Sequence, residues 1–138
     1  MKLFFDSSSY IKKFIEEPGS REIDDLLQKA STLALSIICL PEIMSALNRK
    51  VREGSLTENG YQSVKQQIIE DIHDIQMINL VPEVVENSIK LLENNKLRSL
   101  EALHITCALT WNTDLFISSD KRQIIAAENS GLKVHLVV

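Results

Sequence analysis

Glycine and proline are scarce in this chain, four and three among 138 residues. Their scarcity excludes collagen-like and Pro/Gly-rich low-complexity architectures. Only two cysteines occur, Cys39 and Cys107, each in an apolar stretch and neither part of a set at metal-ligand spacing. That excludes a disulfide framework and a cysteine-based zinc centre, and leaves buried thiols in a reducing, cytoplasmic compartment as the expectation. Basic side chains are not in excess: 15 Lys and Arg stand against 19 Asp and Glu, for a formal charge of −4. No overall positive field advertises nucleic acid, although a local basic patch is compatible with this balance. Uncharged stretches such as Ser31 to Pro41 are far below the roughly 18 residues a membrane span requires, so no membrane association is expected. The three apolar residues ahead of Asp6 are too few for the core of a signal peptide.

Hydrophobic residues make up 44% of the chain, enough for the core of one ordinary domain, expected to span residues 1–138. Leu3, Phe4 and Phe5 form an apolar run without alternation, as in a strand buried on both faces. Asp6 ends it, and Ser7, Ser8 and Ser9 offer N-caps for a helix over Tyr10–Glu17. Pro18-Gly19 breaks that helix, and Ser20 is expected to cap a second one running to Ala30. Further strands are expected at Thr32–Ser36, Ile75–Val81, Asp114–Ser118 and Lys133–Val138. Helices are expected from near Pro41 to Arg52, Thr57 to Asp74, Pro82 to Glu93, Leu100 to Trp111, and from Asp120 to Gly131. This alternation argues for an α/β fold, a mostly parallel sheet of four to five strands with helices on both faces.

Four acids stand apart from the polar helix faces. Asp6 ends the first strand, Glu42 opens the helix after the second, and Asp120 follows the fourth. These three share the strand-to-helix turns at the carboxyl edge of a parallel sheet, where open α/β sheets bind ligands. Glu101, in the apolar helix Leu100-Glu-Ala-Leu-His-Ile-Thr-Cys-Ala-Leu109, joins them if its helix also starts at that edge. Carboxylates brought together in an apolar setting repel unless a cation relieves them, and oxygen-only donors suit Mg²⁺ or Mn²⁺ over zinc. The chemistry implied is metal-assisted attack of water on a phosphodiester. The plainer alternatives are helix capping for Asp6 and Asp120, and a salt bridge between Glu101 and Arg98.

Phe4-Phe-Asp-Ser-Ser8, Leu40-Pro-Glu-Ile-Met-Ser-Ala-Leu47, Leu97-Arg-Ser-Leu-Glu-Ala-Leu-His104 and Asp114-Leu-Phe-Ile-Ser-Ser-Asp120 resemble the successive motifs of the PIN-domain ribonucleases, above all the VapC toxins of toxin–antitoxin pairs. The likeness spans the whole chain in the family's order. It implies Mg²⁺- or Mn²⁺-dependent cleavage of RNA (tRNA or another structured RNA among the candidates), inhibition by a cognate antitoxin, and a homodimer. By this resemblance Asp6, Glu42, Glu101 and Asp120 would be catalytic and metal-binding. Asp114 would be a further metal-site acid, and Ser119 falls on the family's Ser/Thr/Asn position beside the final acid. Glu101 departs from the family's usual Asp by one methylene.

Other features have competing readings. His104 is expected to be a packed, hydrogen-bonded histidine rather than a general base. Trp111 is read as core or interface rather than a base-stacking platform, and Lys121 and Arg122 are read equally as solvated helix residues or as phosphate contacts. Ile68, Ile69, Ile72 and Ile75 present more apolar surface than one small sheet needs, which suggests a two-fold dimer seam or an antitoxin groove. A catalytically weak PIN-type module that binds RNA or protein is the main alternative in function. A phosphoacceptor receiver domain is disfavoured, because Ile117-Ser-Ser-Asp120 has an acid where a receiver carries a lysine after its late strand.

Overall fold

The computed structural model describes residues 1–138, and its centre is the first strand. β1 (Lys2–Phe5) pairs in parallel with β2 (Thr32–Ser36) on one side and β4 (Leu115–Ser118) on the other. β3 (Gln76–Ile78) and β5 (Val134–Leu136) form the edges, giving an all-parallel sheet of order β3-β2-β1-β4-β5. The helices are α1 (Ser7–Tyr10), α2 (Ser20–Leu27), α3 (Cys39–Arg52), α4 (Glu58–Asp71), α5 (Pro82–Asn94), α6 (Ser99–Thr110) and α7 (Lys121–Asn129).

Side chains of β1 alternate between two cores. Leu3 and Phe5 meet Ile23 of α2, Ile43 and Leu47 of α3 and Ile68 of α4 on one face. Phe4 meets Val84 of α5, Ala102 and Ile105 of α6 and Ala126 of α7 on the other. Both faces are therefore covered, which is why the strands read as unbroken apolar runs. Phe4 and Phe116, stacked with centroids 5.9 Å apart, tie β1 to β4 within the second core. Cys39 and Cys107 are buried free thiols, and no helix is long and apolar enough to cross a membrane.

Several boundaries differ from the sequence-based expectation. Helical structure starts at Ser7, not Tyr10, and after Tyr10 tightens into a 3₁₀ turn over Ile11–Lys13. The reason is that Asp6 is itself the cap, taking the Ser9 N–H at 3.0 Å. Ser20 does not cap α2. Gly19 does, at φ 98°, while the Ser20 hydroxyl accepts Glu17 N–H and donates to the Ile15 carbonyl. β3 is shorter than expected, and α2 ends at Leu27 rather than Ala30. Thr57 and Asp120 do cap α4 and α7, and Gly54 and Gly131 follow α3 and α7 with positive φ. The surplus apolar surface is also elsewhere. Of the four isoleucines only Ile69 is exposed, at 42%, while Ile68 is core with Ile72 and Ile75 packed against it; Val81 at the N-cap of α5 and Val85 and Ile89 along it are 44%, 47% and 56% exposed.

Candidate active site

In the order β3-β2-β1-β4-β5 the connections reverse direction between β1 and β4, and at that switch point the carboxyl ends of the strands diverge to leave a crevice. Asp6 lies there, its own N–H bonded to the Ile117 carbonyl of β4 at 3.1 Å. A cleft of about 340 Å³ opens at this edge, lined by Asp6, Glu42, Glu101, His104, Arg98 and Gln123 together with Ser7 and Ser8.

Asp6 is fully buried and its carboxylate is saturated with donors. Oδ1 accepts Ser8 Oγ at 2.9 Å, Ser9 N at 3.0 Å and Ser9 Oγ at 2.8 Å. Oδ2 shares that one Ser8 hydroxyl proton, with Oγ at 2.8 Å, and accepts Ser118 Oγ at 2.7 Å and Gln123 Nε2 at 2.8 Å. A buried carboxylate is tolerable only when supplied in this way. Glu42 comes from the first turn of α3 and is half-buried. Its Oε1 accepts Ser7 Oγ at 2.6 Å and meets His104 Nε2 at 2.5 Å. Burial raises its pKa, but the His104 and Ser7 hydrogen bonds outweigh burial and hold it below the usual carboxylate range.

Glu101 is the third residue of α6, and its Oε1 takes the Arg98 N–H at 2.8 Å. The ion pair with the Arg98 guanidinium, the plainer alternative for this acid, does not form. Arg122 supplies that charge instead, Nη2 to Oε2 at 3.2 Å. Burial raises the Glu101 pKa, reinforced by a hydrogen bond with the Asp120 carboxyl. Asp120 moves the other way: burial raises it, but the Glu101 hydrogen bond and the Arg122 N–H and charge bring it down overall. The two acids thus titrate as a pair. Asp120 also caps α7 by accepting Arg122 N–H at 2.9 Å, and it does not line the cleft with the other three. Arg122, for which the sequence leaves solvation and phosphate contact equally open, is therefore the counter-cation of this pair.

Asp114 is not brought to the site. Its carboxylate accepts the Lys2 N–H at 2.7 Å, at the start of β1 and β4. Parallel strands put their starts at the opposite sheet edge from Asp6, so Asp114 is corrected to a strand-end cap. The serine that reaches Asp6 is Ser118, while the Ser119 hydroxyl is buried without a partner. Sequence reasoning missed Ser118 and Gln123, and treated Ser7–Ser9 only as caps. The triple serine after an apolar strand was a usable signal, but Gln123 offered none.

The donor set suits a hard divalent cation: the acids supply only oxygen, and Glu101 with Asp120 is a like-charged contact that a cation would relieve. As the side chains lie, no three His, Cys, Asp or Glu residues stand together at ligand spacing. Cys39, beneath Ser7, is inert, its thiol pushed up to about 12 by burial.

A parallel α/β sheet with acids gathered at its switch point defines the class. The PIN domain model matches residues 3–129, and the chain belongs to the PIN-domain family. Solved structures share the fold at low identity. A toxin–antitoxin complex from Klebsiella pneumoniae is 18% identical, with a TM-score of 0.72, 99% of this chain and 98% of that chain covered. The Mycobacterium tuberculosis toxin VapC20, which cleaves the sarcin–ricin loop, is 11% identical, with a TM-score of 0.71 and coverage of 94% and 95%. VapBC2 from Rickettsia felis, bound to a fragment of its promoter, is 17% identical, with a TM-score of 0.69 and coverage of 99% and 98%. No curated protein sequence matches this chain.

Proposed function

We propose that this chain is a Mg²⁺- or Mn²⁺-dependent endoribonuclease and the toxin of a type II toxin–antitoxin pair. The observation that carries the reading is the gathering of Asp6, Glu42 and Glu101, from distant segments, around one cleft, with Asp120 sharing the Arg122 guanidinium with Glu101. Asp6, Glu42, Glu101 and Asp120 would hold the ion, whose chemistry when bound is activation of water and neutralisation of phosphate charge. Asp6, fixed by its donors, gives the cleft a rigid negative floor. Glu101 adds charge to its wall, with Asp120 beside it outside the cleft, and Arg98, exposed there, is placed to meet a substrate phosphate.

Saturation of both Asp6 oxygens and the absence of three acids at ligand spacing favour the second reading, a PIN module that binds RNA without efficient turnover. One experiment separates them. Titrating Mn²⁺ should raise the melting temperature, since a ligand at 100 times its Kd stabilises by about 2.7 kcal/mol. Chelation should reduce cleavage of a mixed RNA pool to background. RNA binding that persists in EDTA, with no cleavage at any Mn²⁺ concentration, would establish the non-catalytic reading.

A two-fold homodimer belongs to the same proposal, now placed on the exposed Val81, Val85 and Ile89 stripe of α5. Light scattering should give twice 15.6 kDa, and Ile89→Glu should shift the protein to monomer with little change in melting, as befits a surface site. A monomeric parent chain at micromolar concentration rules the seam out. The antitoxin is expected to be a small protein encoded beside this chain, and its co-expression should suppress cleavage.

A further inference from the structure

His104 carries more than packing. It is only 2% exposed, yet it lies on the wall of the cleft with Nε2 2.5 Å from Glu42 Oε1. The Ser7 hydroxyl donates to that same oxygen at 2.6 Å and lies 3.3 Å from the imidazole. Oε2 of Glu42 accepts from no protein group, so one oxygen is occupied twice and the other is left with its full capacity. The imidazole's other nitrogen, Nδ1, is buried without a partner. A proton on Nδ1 would be an orphaned buried donor, so the tautomer with its proton on Nε2 is the one this setting favours. Such a histidine is a fixed donor aimed at a carboxylate.

We propose that His104 is a positioning residue: with Ser7 it ties down Oε1 of Glu42 and so presents Oε2 to a divalent cation in the cleft. This rests on the metal-dependent reading above. It gives a helix residue three positions after Glu101 a role toward an acid on a different helix, which neither capping nor core packing supplies. A carboxylate held by one oxygen loses less rotamer freedom on binding an ion, and partners of this kind commonly change metal affinity or activity by about 10–100-fold.

The test is calorimetric titration of Mn²⁺ into the parent protein, His104→Leu, His104→Gln, Ser7→Ala and Glu42→Gln, with kcat and KM for RNA measured in parallel. His104→Leu fills the volume without a donor and should weaken Mn²⁺ about 10–100-fold, with kcat falling and KM for RNA unchanged. His104→Gln keeps an N–H of similar reach and should restore most of both. Adding His104→Leu to Glu42→Gln should cost nothing further. ¹⁵N spectra of the metal-free protein should show the proton on Nε2. A folded His104→Leu with parental Mn²⁺ affinity overturns the proposal, as does a full further loss in the double variant. Should His104→Leu not fold, unchanged Mn²⁺ affinity in Ser7→Ala overturns it instead. A parent protein that binds no Mn²⁺ and cuts no RNA sinks the nuclease reading as well, whereas binding and cutting that ignore His104 and Ser7 sink only the positioning role.

Discussion

Asp6→Asn should cut RNA on the order of 10²–10³-fold more slowly than the parent chain and should also melt at a lower temperature. The loss of rate follows from removing one fixed charge where charge develops in the transition state. Loss of stability follows from the donor shell. Five groups converge on the carboxylate: the Ser8, Ser9 and Ser118 hydroxyls, the Ser9 N–H and the Gln123 amide. An Asn side chain offers one acceptor oxygen and turns an NH₂ toward groups that are themselves donors. Each charge-assisted hydrogen bond contributes about 1.5–3 kcal/mol, so the net cost should reach a few kcal/mol even after the hydroxyls rotate. Helix capping survives in either case, because Asn caps about as well as Asp. Thermal melting and cleavage of a labelled RNA pool read the two effects. A variant that melts lower yet cuts at the parental rate would reduce Asp6 to a structural cap and remove it from the catalytic set.

Glu101→Gln is expected to separate activity from stability in the opposite sense. Cleavage should fall by about 10²-fold, and stabilisation by Mn²⁺ should shrink. Melting of the metal-free protein should hardly change. Gln keeps an oxygen for the Arg98 N–H, removes repulsion toward Asp120, and gives up only a partly exposed ion pair with Arg122, worth about 0.2–1 kcal/mol. The pH dependence follows from the two shifts. Glu101, raised above 4.5 by burial and by Asp120, stabilises the fold below that value, and the contribution is lost as pH rises through its folded pKa. Asp120, lowered below 3.8, contributes above that value and is lost as pH falls through its folded pKa. In the metal-free chain stability therefore rises with pH below 3.8, through Asp120, and falls with pH above 4.5, through Glu101, and Glu101→Gln removes the fall. An ion held as proposed needs both acids ionised, so Mn²⁺ binding should strengthen as pH rises through the raised Glu101 pKa. Binding that ignores pH in that range would remove Glu101 from the ligand set.

The α5 stripe and the cleft lie on separate elements, so the two can be tested independently. Ile89→Glu should leave Mn²⁺ binding intact, and Glu101→Gln should leave the dimer intact. Sites with no shared partners combine additively.

How far the chain could be read unaided depended on the range of the interaction involved. Unbroken apolar runs at Leu3–Phe5, Thr32–Ser36 and Leu115–Ser118 identify buried parallel strands, and Thr57, Asp120, Gly54 and Gly131 mark helix ends, because capping and left-handed turns are decided within a few residues. With parallel strands granted, Asp6, Glu42 and Asp120 must stand at one sheet edge. Strand direction alone also assigns Asp114 to the other edge, a step that the motif resemblance obscured. Other features depend on contacts between distant segments. Ser118 and Gln123 reach Asp6 across 112 and 117 residues, and His104 reaches Glu42 across 62. Nothing in the local pattern of α6 distinguishes His104 from its buried neighbours, and nothing in α4 shows that Ile68 is covered while Val85 and Ile89 of α5 are not. Periodicity assigns a side chain to a face of its own helix. What that face meets is set by the crossing of whole elements, and on that depend the donors of Asp6, the counter-cation of Glu101 and the oxygen of Glu42 left free.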